Sequence, residues 1–183
     1  MQLITSIVAT LALAGSALAG PIERRATTIY PTTTSQYNVW TGAITKGTAY
    51  GKVFKKNGPQ PDITTLVTFD IPSTVPAGSL CTVEFYLDAS ATLSGSERAQ
   101  IFTSQKPVAA STTSWPPGNL RDHHVGDFKF SKPGNAVVEA TYGGSQPFPC
   151  PIGQTIAGEI VGRWDEVDIE WDVTKAGPRI TYV

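Results

Sequence analysis

The chain has 183 residues, with 14 Lys and Arg against 15 Asp and Glu, for a formal charge of −1 at neutral pH. No basic cluster occurs, which excludes nucleic acid as an expected partner. Two cysteines are too few for a disulfide-dense mini-scaffold, and the length suits a single domain with a core of its own.

The first 19 residues read as a secretory signal. Leu3 to Ala19 is apolar or small, and Ala17-Leu18-Ala19 carries the small-x-small cleavage pattern, although the start lacks Lys and Arg. The run is too short for a membrane anchor. Arg24-Arg25 then reads as a kexin-type processing pair, so residues 20–25 form a short propeptide and the mature chain starts at Ala26. Its charge is about −2. Residues 26–36 are rich in threonine and are expected to be a flexible leader, open to O-glycosylation. The C-terminal Pro178 to Val183 offers no hydrophobic tail for a lipid anchor.

From residue 37 the pattern is strands and turns. Tyr37 to Trp40 and Thr48 to Lys56 are strand candidates, the second ended by Asn57-Gly58-Pro59. Ile63, Val67, Phe69 and Ile71 form one strand, broken by Pro72 and Pro76. Cys81, Val83, Phe85 and Leu87 alternate with polar residues, which puts Cys81 on an apolar face. Residues 89–120 are the least regular, with either a strand or one helical turn near Gly95 to Phe102. Phe128 and Phe130 lead through Pro133-Gly134 into a hairpin over Asn135 to Tyr142. Ile156 and Ile160 face one way and Glu159 the other. The longest alternation follows: Val167, Ile169, Trp171 and Val173 against Glu166, Asp168, Glu170 and Asp172. A last strand runs from Arg179 to Val183. About ten short strands with Pro- and Gly-rich turns, and no 3.6-residue periodicity, predict a single antiparallel β-sandwich. In a secreted chain the even cysteine count predicts a Cys81–Cys150 disulfide.

Val67-Thr68-Phe69-Asp70-Ile71-Pro72, Gly78-Ser79-Leu80-Cys81 and Phe148-Pro149-Cys150-Pro151-Ile152-Gly153-Gln154 occur in that order, with Gly177-Pro178-Arg179-Ile180-Thr181-Tyr182 at the end. Residues 37–183 so resemble the fungal family described as the ubiquitin 3 binding protein But, C-terminal domain. The resemblance implies a small secreted β-sandwich of filamentous fungi with Cys81 and Cys150 paired. It supplies no catalytic residues. The family name implies a link to ubiquitin-like activation, from which a secreted chain is separated by a membrane.

Glu166-Val167-Asp168-Ile169-Glu170 matches the E-x-D-x-E pattern of one class of retaining glycoside hydrolases, with Glu166 as nucleophile, Asp168 tuning it and Glu170 as acid/base. That chemistry needs two carboxyls about 5–5.5 Å apart. Residues four apart on a strand have Cα atoms roughly 13 Å apart, so both side chains would have to lean inward. Arg163, Lys175 and Arg179 are on hand to balance the charge, and a solvated structural face is the favoured reading.

Asp122-His123-His124 could ligate a metal, but adjacent histidines on a strand diverge and no third His exists; a loop is expected, with no metal and no cofactor. No G-x-S-x-G nucleophile elbow occurs. Among the four tryptophans, Trp40 and Trp115 are the candidates for sugar stacking, and Trp171 is expected in the core. The sequence therefore predicts a secreted, non-enzymatic protein of the cell wall or host surface. It would bind extracellular carbohydrate or a protein, as an effector or elicitor does; a small β-glucan hydrolase is the alternative.

Overall fold

The computed structural model describes residues 26–109, 111–114, 119–143 and 146–183. The signal and propeptide residues, and Trp115, lie outside them. Among the described residues the chain is all β, with fifteen strands: β1 (Thr27–Ile29), β2 (Thr33–Asn38), β3 (Ile44–Thr45), β4 (Tyr50–Lys55), β5 (Ile63–Asp70), β6 (Leu80–Leu87), β7 (Thr92–Gly95), β8 (Arg98–Ser104), β9 (Arg121–Lys129), β10 (Gly134–Asn135), β11 (Val137–Thr141), β12 (Phe148–Pro149), β13 (Thr155–Gly162), β14 (Val167–Asp172) and β15 (Gly177–Tyr182). The count exceeds the expected ten because several are two- or three-residue pieces that periodicity cannot register.

All pairing is antiparallel. A small sheet runs β1-β15-β6-β10, with β12 also on β6. A large sheet runs β11-β9-β8-β13-β5-β4-β14-β7, with β2 paired to β5 and β3 to β2. The two sheets close over one core. Phe85 of the small sheet meets Phe130 and Trp171 edge to face, at centroid distances of 4.8 and 4.9 Å. Such pairs add about 1 kcal/mol beyond the area they bury. Val167, Ile169 and Trp171 are buried, as the alternation requires. Cys81 and Cys150 form the expected disulfide, closing a 69-residue separation and holding β6 to the segment after β12.

Three expectations need correction. Residues 26–36 are not a loose leader: β1 pairs with β15, β2 pairs with β5, and Ser35 is fully buried. A threonine-rich run looks flexible by composition, yet threonine suits a pleated strand once a partner edge exists. Asp122-His123-His124 is not a loop but the start of β9, paired with β8 through two register shifts. Residues 95–99 form no helical turn; Ser96 and Glu97 link β7 to β8, with Glu97 at φ 53°.

Candidate functional site

The sandwich does not fill at one end. Between the sheets lies a cleft of about 850 Å³. Its floor comes from Val67, Phe69, Ile101 and Ile160 of the large sheet, and its roof from Val83 and Ile180 of the small one. Phe148, Pro149 and Pro151, beside the disulfide, close one flank. Among its described lining residues there is no Lys, Arg, Asp or Glu; His123, His124 and Tyr142 are the titratable ones. Partial exposure of Val83, Phe148 and Ile156 shows apolar surface that the core leaves uncovered. A concave, mostly apolar site with a few polar groups is what small-ligand sites share.

The cleft's rim is held by a buried carboxylate. Asp127 is 2% exposed. Gln100 Nε2 donates to it at 3.0 Å and Tyr142 Oη at 2.9 Å, and Arg163 Nη1 lies 3.0 Å away. His124 Nε2 is 3.2 Å from Asp127 Oδ1 but out of line for a hydrogen bond. The His124 ring instead stacks between Phe102 at 4.6 Å and Tyr142 at 4.3 Å. Burial pushes the Asp127 carboxyl up, but the two hydrogen bonds and the Arg163 and His124 charges together hold it below the usual carboxylate range. The bond to Asp127 pushes Tyr142 above the usual phenol range.

On the outer face of the large sheet sits Glu159, with no exposed surface. Its Oε1 accepts from Thr64 Oγ1 at 2.7 Å; its Oε2 accepts from Asn119 Nδ2 and Arg121 Nε, both at 2.8 Å. Two of these donors close the irregular segment ending at residue 121, so Glu159 pins that segment to the sheet. The bond to Glu159 raises the Arg121 guanidinium further above its usual range. Alternation alone placed Glu159 away from Ile156 and Ile160, as found; nothing local in the sequence marks the segment that buries it.

The acidic strand is less enclosed: Asp168, Glu170 and Asp172 are half-buried, and Asp168 Oδ1 is buried without a hydrogen-bond partner among the described residues. Glu166 precedes β14 and is exposed. Glu170 Oε2 is 2.8 Å from Lys52 Nζ across the β14–β4 pairing. Asp172 accepts from Thr174 and pairs with Lys175, closing the turn to β15. Glu166, Asp168 and Glu170 line neither this cleft nor the second one described below. No cluster of three metal-ligating side chains occurs among the described residues, and His123 is open to solvent.

Trp40 is 59% exposed on the turn after β2. Asn38 Oδ1 accepts from the backbone N–H groups of Trp40 and Thr41, both at 3.0 Å, which fixes the main chain of the turn that carries the indole. Trp164, at φ 71°, is flanked by the Arg98 and Arg163 guanidinium groups at 4.7 and 5.2 Å. A second cleft, of about 630 Å³, lies where Tyr30, Thr32, Tyr86 and Trp171 meet Lys175 and Arg179.

No helix among the described residues is long and apolar enough to cross a membrane. A comparison with curated proteins gives no match. The model of one family matches residues 27–174, from β1 through the turn after β14. By that match the chain belongs to the family described as the Ubiquitin 3 binding protein But2 C-terminal domain.

Proposed function

We propose that this chain is a secreted, non-enzymatic binding module of the cell wall or host surface, and that its ligand site is the cleft between the sheets. The cleft is the observation that carries the reading: about 850 Å³ of mostly apolar space between the two sheets. Apolar surface left facing water is unfavourable, and a bound apolar ligand would cover it. The apolar start with its cleavage pattern supports secretion, as does the disulfide, which suits an oxidising compartment. Expression in a secretory fungal host tests destination: the protein should accumulate in the medium with Ala26 at its N-terminus. Organic extraction of the purified protein, followed by mass spectrometry, should release a stoichiometric apolar compound. An extract with none, together with no uptake of 1-anilinonaphthalene-8-sulfonate, would sink the cleft reading.

Carbohydrate binding is favoured by one observation, the second cleft, where Tyr30 is 66% exposed beside threonine hydroxyls and Lys175. Aromatic faces with adjacent donors suit a sugar ring. Depletion by insoluble β-glucan, chitin or cellulose, lost in Tyr30→Ala, would establish it. For the hydrolase alternative, the Lys52 pairing of Glu170 supports a structural role for the acidic strand. Wild type and Glu166→Gln are expected to release reducing ends from β-glucan at the same background rate.

A further inference from the structure

We infer that the Asn57-Gly58 pair, on the loop from β4 to β5, is a site of self-deamidation, where water alone converts Asn57 to a mixture of aspartate and isoaspartate. The reaction needs a main-chain nitrogen that can reach the side-chain amide before it. Gly58 N gives its proton to hydroxide and attacks Asn57 Cγ. The new N–C bond closes an imide ring, the Cγ–Nδ2 bond breaks, and ammonia leaves with a proton taken from water. Water then opens the imide at either carbonyl. One opening gives aspartate; the other gives isoaspartate, whose main chain runs through the former side chain. The balance is one water in and one ammonia out.

The chain has four asparagines, and the structure separates Asn57 from the other three. After Asn38, Val39 N donates to Asp62 O at 3.0 Å; after Asn119, Leu120 N donates to Ser104 Oγ at 3.3 Å; after Asn135, Ala136 N donates to Phe85 O at 2.7 Å. Each of those N–H groups is held in a hydrogen bond that the attack would break. The three side chains are engaged as well. Asn38 Oδ1 accepts from Trp40 N and Thr41 N, Asn119 Nδ2 donates to Glu159, and Asn135 Oδ1 accepts from Arg179 Nη2. Among the described residues, neither Gly58 N nor the Asn57 side chain has a hydrogen-bond partner. Both residues are exposed, and a Cβ built on Gly58 would meet nothing within 4 Å. Glycine brings no side chain to obstruct the ring closure, whereas Val39, Leu120 and Ala136 each do. Residues 56–62 are irregular chain between the strands, which pair at Phe54–Ile63, and exposed loops move more than the strands they join. Conversion puts a carboxylate beside Lys55 and Lys56 and leaves the paired strands intact.

The test follows the purified, folded protein over weeks in neutral and in mildly basic buffer. Ion-exchange chromatography reads charge, peptide mass spectrometry maps the site, and enzymatic carboxyl methylation reads isoaspartate. A more acidic form should accumulate, faster in the basic buffer. The amide-to-acid mass gain should map to Asn57, with isoaspartate in the larger share. Asn57→Gln, whose longer side chain disfavours closure, should stay a single species, and Gly58→Ala should slow conversion several-fold. Near-ultraviolet circular dichroism checks that both variants fold; if Gly58→Ala does not, Asn57→Gln and the site mapping decide. No acidic form after incubation, a gain that appears first at Asn38, Asn119 or Asn135, or equal conversion in a folded Asn57→Gln would each overturn the assignment.

Discussion

Arg121 Nε donates at 2.8 Å to Oε2 of Glu159, a carboxylate with no exposed surface, while the Arg121 side chain itself stays 42% exposed. One end of the pair is in the protein and the other in water. A buried charge that loses its partner is costly, whereas a half-exposed partner can be replaced in part by solvent. Arg121→Ala, which leaves the buried carboxylate without its charged partner, is therefore expected to cost about 3 kcal/mol, and Glu159→Ala, which leaves the half-exposed Arg121 to water, about 2 kcal/mol. The double variant should lose clearly less than the sum, because the two share one interaction. Urea denaturation of the four proteins measures this; additive losses would show that the pair is not coupled.

The Asp127 cluster sets the acid limb of stability. Its folded-state carboxyl titrates below the usual range, so the unfolded chain binds the proton more readily as pH falls. The contribution is fully present above the ordinary aspartate value of about 4 and is lost as pH drops through the lowered folded value. Glu139, held down by Arg98, and Asp172, held down by Thr174, act in the same direction. Unfolding free energy should be flat from pH 7 to about pH 4 and fall below it. Asp127→Asn should be less stable at pH 7 and show a shallower acid limb; an unchanged limb would remove Asp127 from the account.

Loss of the disulfide should be felt globally. Cys81 is fully buried on β6, and its bond to Cys150 closes a 69-residue separation. Constraining a loop of that length stabilises a fold by about 4 kcal/mol in the chain-entropy picture. The Cys81→Ala, Cys150→Ala double variant should lower the urea midpoint accordingly. It should also loosen the Phe148 flank of the cleft, so ligand uptake should fall more than stability alone explains. Equal stability of the oxidised and double-variant proteins would contradict this.

Trp171 is packed between two glycines. A Cβ added at Gly51 would fall on the Trp171 six-membered ring, and one at Gly177 would lie 2.7 Å from Trp171 Nε1. Gly177 also sits at φ 130°, where a side chain is strained. Overpacking of this kind costs about 1–3 kcal/mol. Gly51→Ala and Gly177→Ala should both lower the melting temperature. Gly51→Ala should do so with a changed tryptophan emission, because the indole must move. A melting temperature within experimental error of wild type would mean that the ring has room that the packing denies.

Several features were legible from local pattern alone. Period-two alternation located Val167, Ile169 and Trp171 in the core and put Cys81 on a buried face, because a strand's two faces are fixed by geometry within four or five residues. The even cysteine count sufficed for the bridge, and short motifs sufficed for the family. Tertiary structure decided the rest. Thr27 to Asn38 became strands only because β15 and β5 offered edges to pair with. Glu159 and Asp127 became buried charges only because distant Arg121 and Arg163 reached them. The cleft has no signature in sequence at all. Its walls come from residues as far apart as Val67 and Ile180, each of which reads as an ordinary core position. A core residue announces itself by its own alternation. A gap between two sheets depends on how far the sheets stand apart, which no single strand encodes.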